Sequence, residues 1–448
     1  MRAEETGSDA SERASAAEAA PARRTASTDG EAGAQKLRIL VLAPFPPRRD
    51  GRDGGSRVLA GLVTALAPRH EVALLHLGRA DGPEVDDAVA GACRLVVPCR
   101  LPRREGRLRA RWWRYRTLAA LLVGRPRWVT LARARSCRST LRRLVDEFRP
   151  DVVQCEFAVM AQYLPAIERA RAARVFVQHD PVTAHAAEHA SSSLPRRRRA
   201  RVAARVEARG WRRFETHALR GVDAAVVFTE ADREALRALG TGTPVHVIPF
   251  GFDVPSEALD PGGASDRATL VFVGNFVHRP NVRAAQRLVH EILPLVRRER
   301  PGVEVEIVGR APPPAVQALA GDGVVVTGEV PSVVPHLDRA NVVVVPLETG
   351  GGVRVKLLEA LAAGKAVVAT PRAAKGLALT DREHLYLAET NDDLAGAVLE
   401  LLDDRAARVA LADRARHWAL QHAGWELAVD AYDDLYRSLV REPRAGNA

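Results

Sequence analysis

Lysine is nearly absent from this strongly basic chain. The formal net charge over 448 residues is +11, yet only Lys36, Lys356, Lys365 and Lys375 are lysines and arginine supplies the remaining cations. Two of the four fall in one short segment, 349–370, which marks it for attention. Cysteine is also scarce: Cys93, Cys99, Cys137 and Cys155 are the only ones, and none forms a CxxC pair. This excludes a disulfide framework or a cysteine-based zinc site and points to free thiols in a reducing compartment. No apolar run reaches the roughly 18 residues of a spanning helix. The first 35 residues, rich in Ala, Glu, Ser, Gly and Thr, hold no apolar run either. They read as a disordered tail and not as a signal peptide. The expected location is therefore cytoplasmic.

What is present is ordinary for a soluble globular protein: 47% hydrophobic and 27% charged residues. The length suggests two domains. LRILVLA (37–43) is a short apolar run without alternation, as in a strand covered on both faces. A loop rich in Pro and Gly follows, then the helical VLAGLVTALAPR and the strands HEVALLHLG and CRLVVPCRL. This is the start of a doubly wound α/β sheet. PDVVQCE, RVFVQHD, DAAVVFT and VHVIPFGFD read as further strands, with a helix near 160–172 and a long basic helical stretch at 195–220. A second cycle begins after the turn-rich PGGASDRA. It holds TLVFVGN, the amphipathic helix NVRAAQRLVHEILPLVRRER, then VEVEIVG, GVVVTGEV, NVVVVPL and KAVVAT, and helices from 391 onward. The expected organisation is a tail (1–35), a first Rossmann-like domain (36–255), a second (256–425) and a C-terminal helix (426–448) crossing back. Ligands of such sheets bind beyond the carboxyl ends of the strands.

The segment TGGGVRVKLLEALAAGKAVVAT (349–370) follows the strand NVVVVPL. Its glycines let backbone N–H groups approach a ligand, and a helix beginning near Val353 offers free donors and partial positive charge. Arg354 and Lys356 add cations where the helix dipole favours acids, an arrangement that a diphosphate resolves. Glu359 is an acceptor-only group suited to a ribose diol. The alternative is a surface helix with a solvated Lys356–Glu359 ion pair.

This segment resembles the donor-binding region of the group 1 (family 4) retaining glycosyltransferases of GT-B fold. Glu359 matches the second of two glutamates in that pattern, and Ala360, Gly364 and Val367 to Thr370 fit. Gly351 stands where the first glutamate is usual, which leaves the sugar open. The resemblance extends over roughly 37–437. It implies that Glu359 binds the ribose and that Arg354, Lys356 and the backbone of Gly350, Gly351, Gly352 and Val353 face the diphosphate. GRDGGSR resembles the family's first glycine loop, with Gly54 and Gly55. His179 and Asp180 end a strand, and His179 looks like the histidine that sits against the transferred sugar. VIPFGFD resembles the family's interdomain segment, with Phe250 in place of an asparagine. VGNFVHRPN matches the first loop of the nucleotide domain and contributes Gly274 and Asn275; His278, Arg279 and Asn281 replace an arginine and lysine there. Gly328, Glu329 and Val330 match the segment that brackets the base. The expected catalytic residues are thus His179, Arg354 and Lys356. No metal and no cofactor is implied, the nucleotide diphosphate sugar being substrate. The implied reaction moves a sugar to a hydroxyl acceptor with retention, by front-face attack, in polysaccharide or glycolipid synthesis.

RLPRREGRLRARWWRYR (100–116) and PRRRRARVAARVEARGWRRF (195–214) hold most of the excess charge, with Trp112, Trp113, Tyr115, Trp211 and Phe214 interleaved. Such stretches suit an anionic membrane surface, hence a lipid-linked acceptor and a peripheral position on the inner face of the plasma membrane. Three other readings compete. A basic nucleic-acid-binding protein explains the arginines but not GGGVRVK, so no nucleic acid is expected. A catalytically inactive sugar-nucleotide-binding module is consistent with the missing glutamate. A nucleotide-sugar epimerase needs several acids around the sugar, for which the first half offers no convincing set.

Overall fold

The computed structural model describes residues 35–49, 54–79, 82, 84–101, 115–116, 119–120, 124–181, 183, 198–263, 267–350 and 355–441. Gly351, Gly352, Val353 and Arg354 lie outside them, as do most of the expected tail, most of the 100–116 stretch and residues 195–197. Leu37–Ala448 form one compact unit.

Two parallel sheets organise that unit. The first contains β1 (Arg38–Ala43), β2 (Glu71–Gly78), β3 (Leu95–Arg100), β4 (Val152–Glu156), β5 (Ala173–Val177), β6 (Ala224–Val227) and β7 (Val245–Val247), in the order β3-β2-β1-β4-β5-β6-β7. The second contains β8 (Thr269–Val273), β9 (Glu304–Val308), β10 (Val324–Gly328), β11 (Val342–Val345), β12 (Val367–Ala369) and β13 (Tyr386–Leu387), in the order β10-β9-β8-β11-β12-β13. Strand order reverses between β1 and β4 and again between β8 and β11. These are the switch points at which doubly wound sheets open a crevice at their carboxyl ends. Ile39 to Ala43 of β1 and Val342 to Val345 of β11 are buried, as strands covered on both faces must be. Each such aliphatic side chain contributes about 1.5–3 kcal/mol.

The helices that place the site are α1 (Gly54–Leu66), α2 (Arg198–Arg220), α3 (Arg279–Arg287), α4 (Leu293–Glu299), α5 (Val355–Ala362) and α6 (Trp425–Arg441). Although α6 follows the second sheet in sequence, its Ala428, Val429, Tyr432, Leu435 and Tyr436 pack with Leu59, Val63 and Val175 on a face of the first. Trp425 fixes its start. A Cβ added to Gly61 of α1 or to Gly251 of the interdomain segment would lie 2.2 Å from the indole, so both positions need glycine for the ring to fit.

Two expected helices are different. The one read near 160–172 is a 3₁₀ helix, Ala158–Ile167, with Pro165 inside it; proline cannot donate to an α ladder. The one read through 281–300 is interrupted by a π turn, Leu288–Ile292, whose following Leu293 N–H reaches the Leu288 carbonyl. Pro294 lies just beyond, and its missing donor and its ring force the preceding turn to widen. The short edge strand β13 had no counterpart in the sequence reading.

Candidate active site

The carboxyl ends of the two sheets enclose a cavity of about 440 Å³. The first lobe supplies Arg49 from the loop after β1 and Gly54, Arg57 and Val58 from α1. The second supplies Gly274 and Asn275 after β8, Gly309 and Arg310 after β9, Glu329 and Val330 after β10, and Val355 and Glu359 of α5; Trp425 closes one side. Of the residues singled out in the sequence, Gly54, Gly274, Asn275, Glu329, Val330 and Glu359 therefore line this one cavity. Arg49, Arg57, Gly309 and Arg310 were not foreseen.

The two lobes touch where α1 meets α5. A Cβ on Gly54 would be 3.5 Å from Val355 Cγ2. One turn on, Arg57 Nη1 donates to Glu359 Oε1 at 2.7 Å; the arginine side chain is 40% exposed and the glutamate 10%. The Lys356–Glu359 pair that the helical spacing allowed does not form. Lys356 Nζ instead donates to Asn281 Oδ1 at 2.6 Å and lies 4.7 Å from the centre of the Phe272 ring, a cation–π contact. Asn281 Nδ2 donates in turn to the Asn275 carbonyl at 2.7 Å. Lys356 thus stands behind the loop after β8, and not in the cavity wall where the diphosphate was expected to meet it.

That loop is built on close backbone approach. Gly274 N–H donates to the Val308 carbonyl at 2.8 Å, and Gly309 N–H to the Gly328 carbonyl at 3.1 Å. Gly309 has φ of +139°, and a Cβ there would lie 1.9 Å from the Gly274 oxygen. Only glycine satisfies both demands. Gly328, with φ of +73°, serves this floor through its backbone. Gly55, in the first turn of α1, and Gly350, with φ of +119°, are not in the wall. The neighbouring Ser56 anchors the loop after β1: its hydroxyl accepts from Arg48 N–H at 3.1 Å and donates to the Pro46 carbonyl at 2.9 Å.

His179 lies beyond the end of β5 in an aromatic and acidic setting. Its ring is stacked on Phe157 at 3.8 Å and 6° and meets Phe228 edge-on at 5.1 Å. Phe228 in turn meets Phe250 at 5.2 Å, which gives Phe250 a packing role in the interdomain segment. Phe157 carries φ of +62°, a costly conformation for a bulky residue that surrounding packing must hold. The His179 Nε2 lies 2.6 Å from Glu156 Oε2. Glu156 is fully buried at the end of β4, and the other oxygen accepts from Gln154 Nε2 at 2.5 Å. Tyr436 of α6 donates its hydroxyl to Gln154 Oε1. Burial, with the charge of Glu156 beside it, holds the Tyr436 phenol well above its ordinary pKa, so the hydroxyl remains a donor. Asp180, half-buried, follows His179 in the same loop.

Comparison with known proteins agrees with this arrangement. Residues 52–255 match the family described as Glycosyltransferase Family 4, and residues 267–404 the family described as Glycosyl transferases group 1. A GDP-mannose-dependent alpha-(1-6)-phosphatidylinositol monomannoside mannosyltransferase of Mycobacterium tuberculosis is 28% identical over 227 residues, which is 45% of this chain and 57% of the relative. The match thus spans little more than half the length of that curated relative. Among solved structures, sucrose-phosphate synthase from Thermosynechococcus elongatus superposes with a TM-score of 0.66 at 18% identity, over 91% of this chain and 100% of that one. Anabaena HepE in complex with UDP and glucose superposes with a TM-score of 0.62 at 13% identity, over 90% and 100%. At these identities the likeness concerns the fold.

Proposed function

The chain belongs to the group 1, family 4 glycosyltransferases of GT-B fold, and we propose that it is a nucleotide-sugar-dependent enzyme that moves the sugar to a hydroxyl acceptor with retention. The observation that carries this reading is the cavity between the two switch points, lined by Arg49 and Arg57 from the first lobe and by Arg310 and Glu359 from the second. Cations and backbone donors gathered where two lobes meet suit a diphosphate. Glu359 takes the ribose diol, and the glycine floor at Gly274 and Gly309 lets the backbone approach the nucleotide.

In the proposed reaction the bond from the sugar's anomeric carbon to the diphosphate oxygen breaks, and the acceptor oxygen bonds to that carbon on the same face. The acceptor's proton passes to the leaving phosphate oxygen. Negative charge grows on the diphosphate, and the arginines stabilise it as preorganised cations do elsewhere. In this reading His179, held by Phe157 and Glu156 outside the lining of that cavity, meets the sugar end of the donor. Lobe closure over the cavity excludes water.

The name of the mycobacterial relative makes GDP-mannose and a phosphoinositide-linked glycan the first donor and acceptor to try. Helix α2 supports a membrane-surface acceptor: Arg205, Arg209, Arg212 and Arg213 are exposed along it, a basic stripe suited to anionic lipid. Among the described residues no helix is long and apolar enough to cross a membrane. We place the protein in the cytoplasm, peripheral on the inner membrane face, in glycolipid or surface-polysaccharide synthesis.

Calorimetric titration with GDP, UDP and ADP tests the donor reading. One of them should bind the wild type, and its sugar nucleotide should turn over. If none binds, the cavity is not a nucleotide site. Sedimentation with anionic vesicles at low salt tests the surface, and no co-sedimentation removes the membrane from the proposal.

A further inference from the structure

Glu156 is a fully buried carboxylate, and among the described residues it has no lysine or arginine on it. Its two oxygens are held by the Gln154 amide and the His179 ring. Burying such a charge is costly without strong pairing, so a stability role alone is poorly served by it. The carboxylate can only accept, so Nε2 of His179 carries the proton and donates. With one ring face on Phe157 and Nε2 committed to Glu156, Nδ1 is the nitrogen left for a ligand. Tyr436, itself fully buried, fixes the amide of Gln154 and thereby the orientation of the carboxylate.

We propose that Glu156 is a positioning residue for the transfer step, acting through His179. It sets which ring nitrogen faces the sugar. It also places a fixed negative charge one imidazole away from a centre that becomes cationic in the transition state. The proposal rests on the glycosyl-transfer reading, with His179 beside the sugar. The Tyr436–Gln154–Glu156–His179 chain joins it to α6, which begins at Trp425 in the cavity wall.

Glu156→Gln is the test, because the amide keeps the shape and an acceptor oxygen while the charge is lost. Carboxylates that orient metal-bound histidines lower activity about 10- to 100-fold when lost, and a fall of the same order is expected of a carboxylate that orients a metal-free one. The expected result is a fall of that size in kcat for sugar-nucleotide turnover, with the calorimetric Kd for the nucleoside diphosphate within about twofold of wild type. Glu156→Asp, which restores the charge at shorter reach, should recover part of kcat. Tyr436→Phe, which removes one hydroxyl, should lower kcat by about threefold and leave Kd alone. An unchanged kcat in Glu156→Gln overturns the proposal. So does a parallel loss of kcat, affinity and thermal midpoint, which marks a purely structural residue. A wild type that turns over no sugar nucleotide overturns the transfer reading and this one together, and that result is seen before any variant is made.

Discussion

Replacing Arg57 by alanine should move nucleoside and nucleoside diphosphate affinity in opposite directions. Arg57 and Glu359 are 2.7 Å apart. At that distance two unit charges interact by roughly 6 kcal/mol at an effective dielectric near 20. Most of this does not survive. Arg57 is 40% exposed and screened by water, and both side chains lose freedom and hydration when they pair. A net of about 1–2 kcal/mol remains, roughly a factor of 5 to 30 in an equilibrium constant. In the proposed site the ribose competes for the carboxylate that Arg57 holds, so a nucleoside must displace part of the pair. Arg57→Ala removes that competition, and the nucleoside should bind up to about tenfold tighter. The diphosphate, by contrast, loses a cation that swings from Glu359 to phosphate. Its affinity should fall about tenfold or more, since a lost charge-assisted contact outweighs the relief at Glu359. Calorimetry with the preferred diphosphate and ligand-observed NMR with its nucleoside give both numbers. If both affinities fall together, or neither changes, the pair is not a latch on the ribose site and the reasoning fails.

Three other perturbations follow from the packing and the charges. Gly309→Ala puts a methyl 1.9 Å from the Gly274 oxygen at φ of +139°; it should lower urea stability by about 3 kcal/mol and abolish nucleotide binding. Gly61→Ala drives a methyl into the Trp425 indole and should cost about 1–3 kcal/mol in the same melt, with α6 loosened from the first sheet. Lys365 is fully buried against the carbonyls of Asp260 and Asp338, and burial pulls its pKa down to about 8 from 10.5. Between those values the unfolded chain binds more protons than the folded one, so this group makes stability rise with pH across that window, by up to about 1.4 kcal/mol per unit. Tyr432 and Tyr436, whose pKa values burial raises, oppose this once unfolded tyrosines ionise near pH 10. Burial also raises the thiol pKa values of Cys93 and Cys155, which lowers stability once unfolded thiols ionise from about pH 8.5. Urea melts from about pH 8 to 9.5 should therefore show stability falling less steeply with pH in the wild type than in Lys365→Met.

The fold was legible because its signal is local. Uninterrupted apolar runs such as LRILVLA and NVVVVPL are strands covered on both faces, and the alternation of strand and helix leads to a doubly wound sheet. Where the two helix readings slipped, a proline was the cause. Pro165 and Pro294 sit inside segments whose hydrophobic period is helical, and the period takes no account of a missing N–H. β13 has only two residues, Tyr386 and Leu387, and gives no periodic signal.

The site divides along the same line. Gly274, Asn275 and Glu359 belong to short contiguous motifs, so they could be picked out before any contact was known. Glu156 and Arg57 could not, since each acquires its meaning from a partner that only the fold supplies. Glu156 meets His179 because β4 and β5 are parallel neighbours, in register from Val152 with Ala173 to Glu156 with Val177, which carries the residues at the two strand ends side by side. Arg57 meets Glu359 only because the lobes close so that α1 lies against α5. Lys356 shows the converse. Its sequence position promised a phosphate contact, but the half-buried side chain reaches Asn281 and the Phe272 ring instead. A cation can steady a phosphate loop from behind by fixing its backbone, and the field it contributes then acts through Asn281 and Asn275. Removing Lys356 should accordingly loosen the loop after β8 as well as weaken the diphosphate. Nucleoside affinity, which a pure phosphate clamp leaves untouched, should fall with it, and unchanged nucleoside binding in Lys356→Ala would return the lysine to the phosphate.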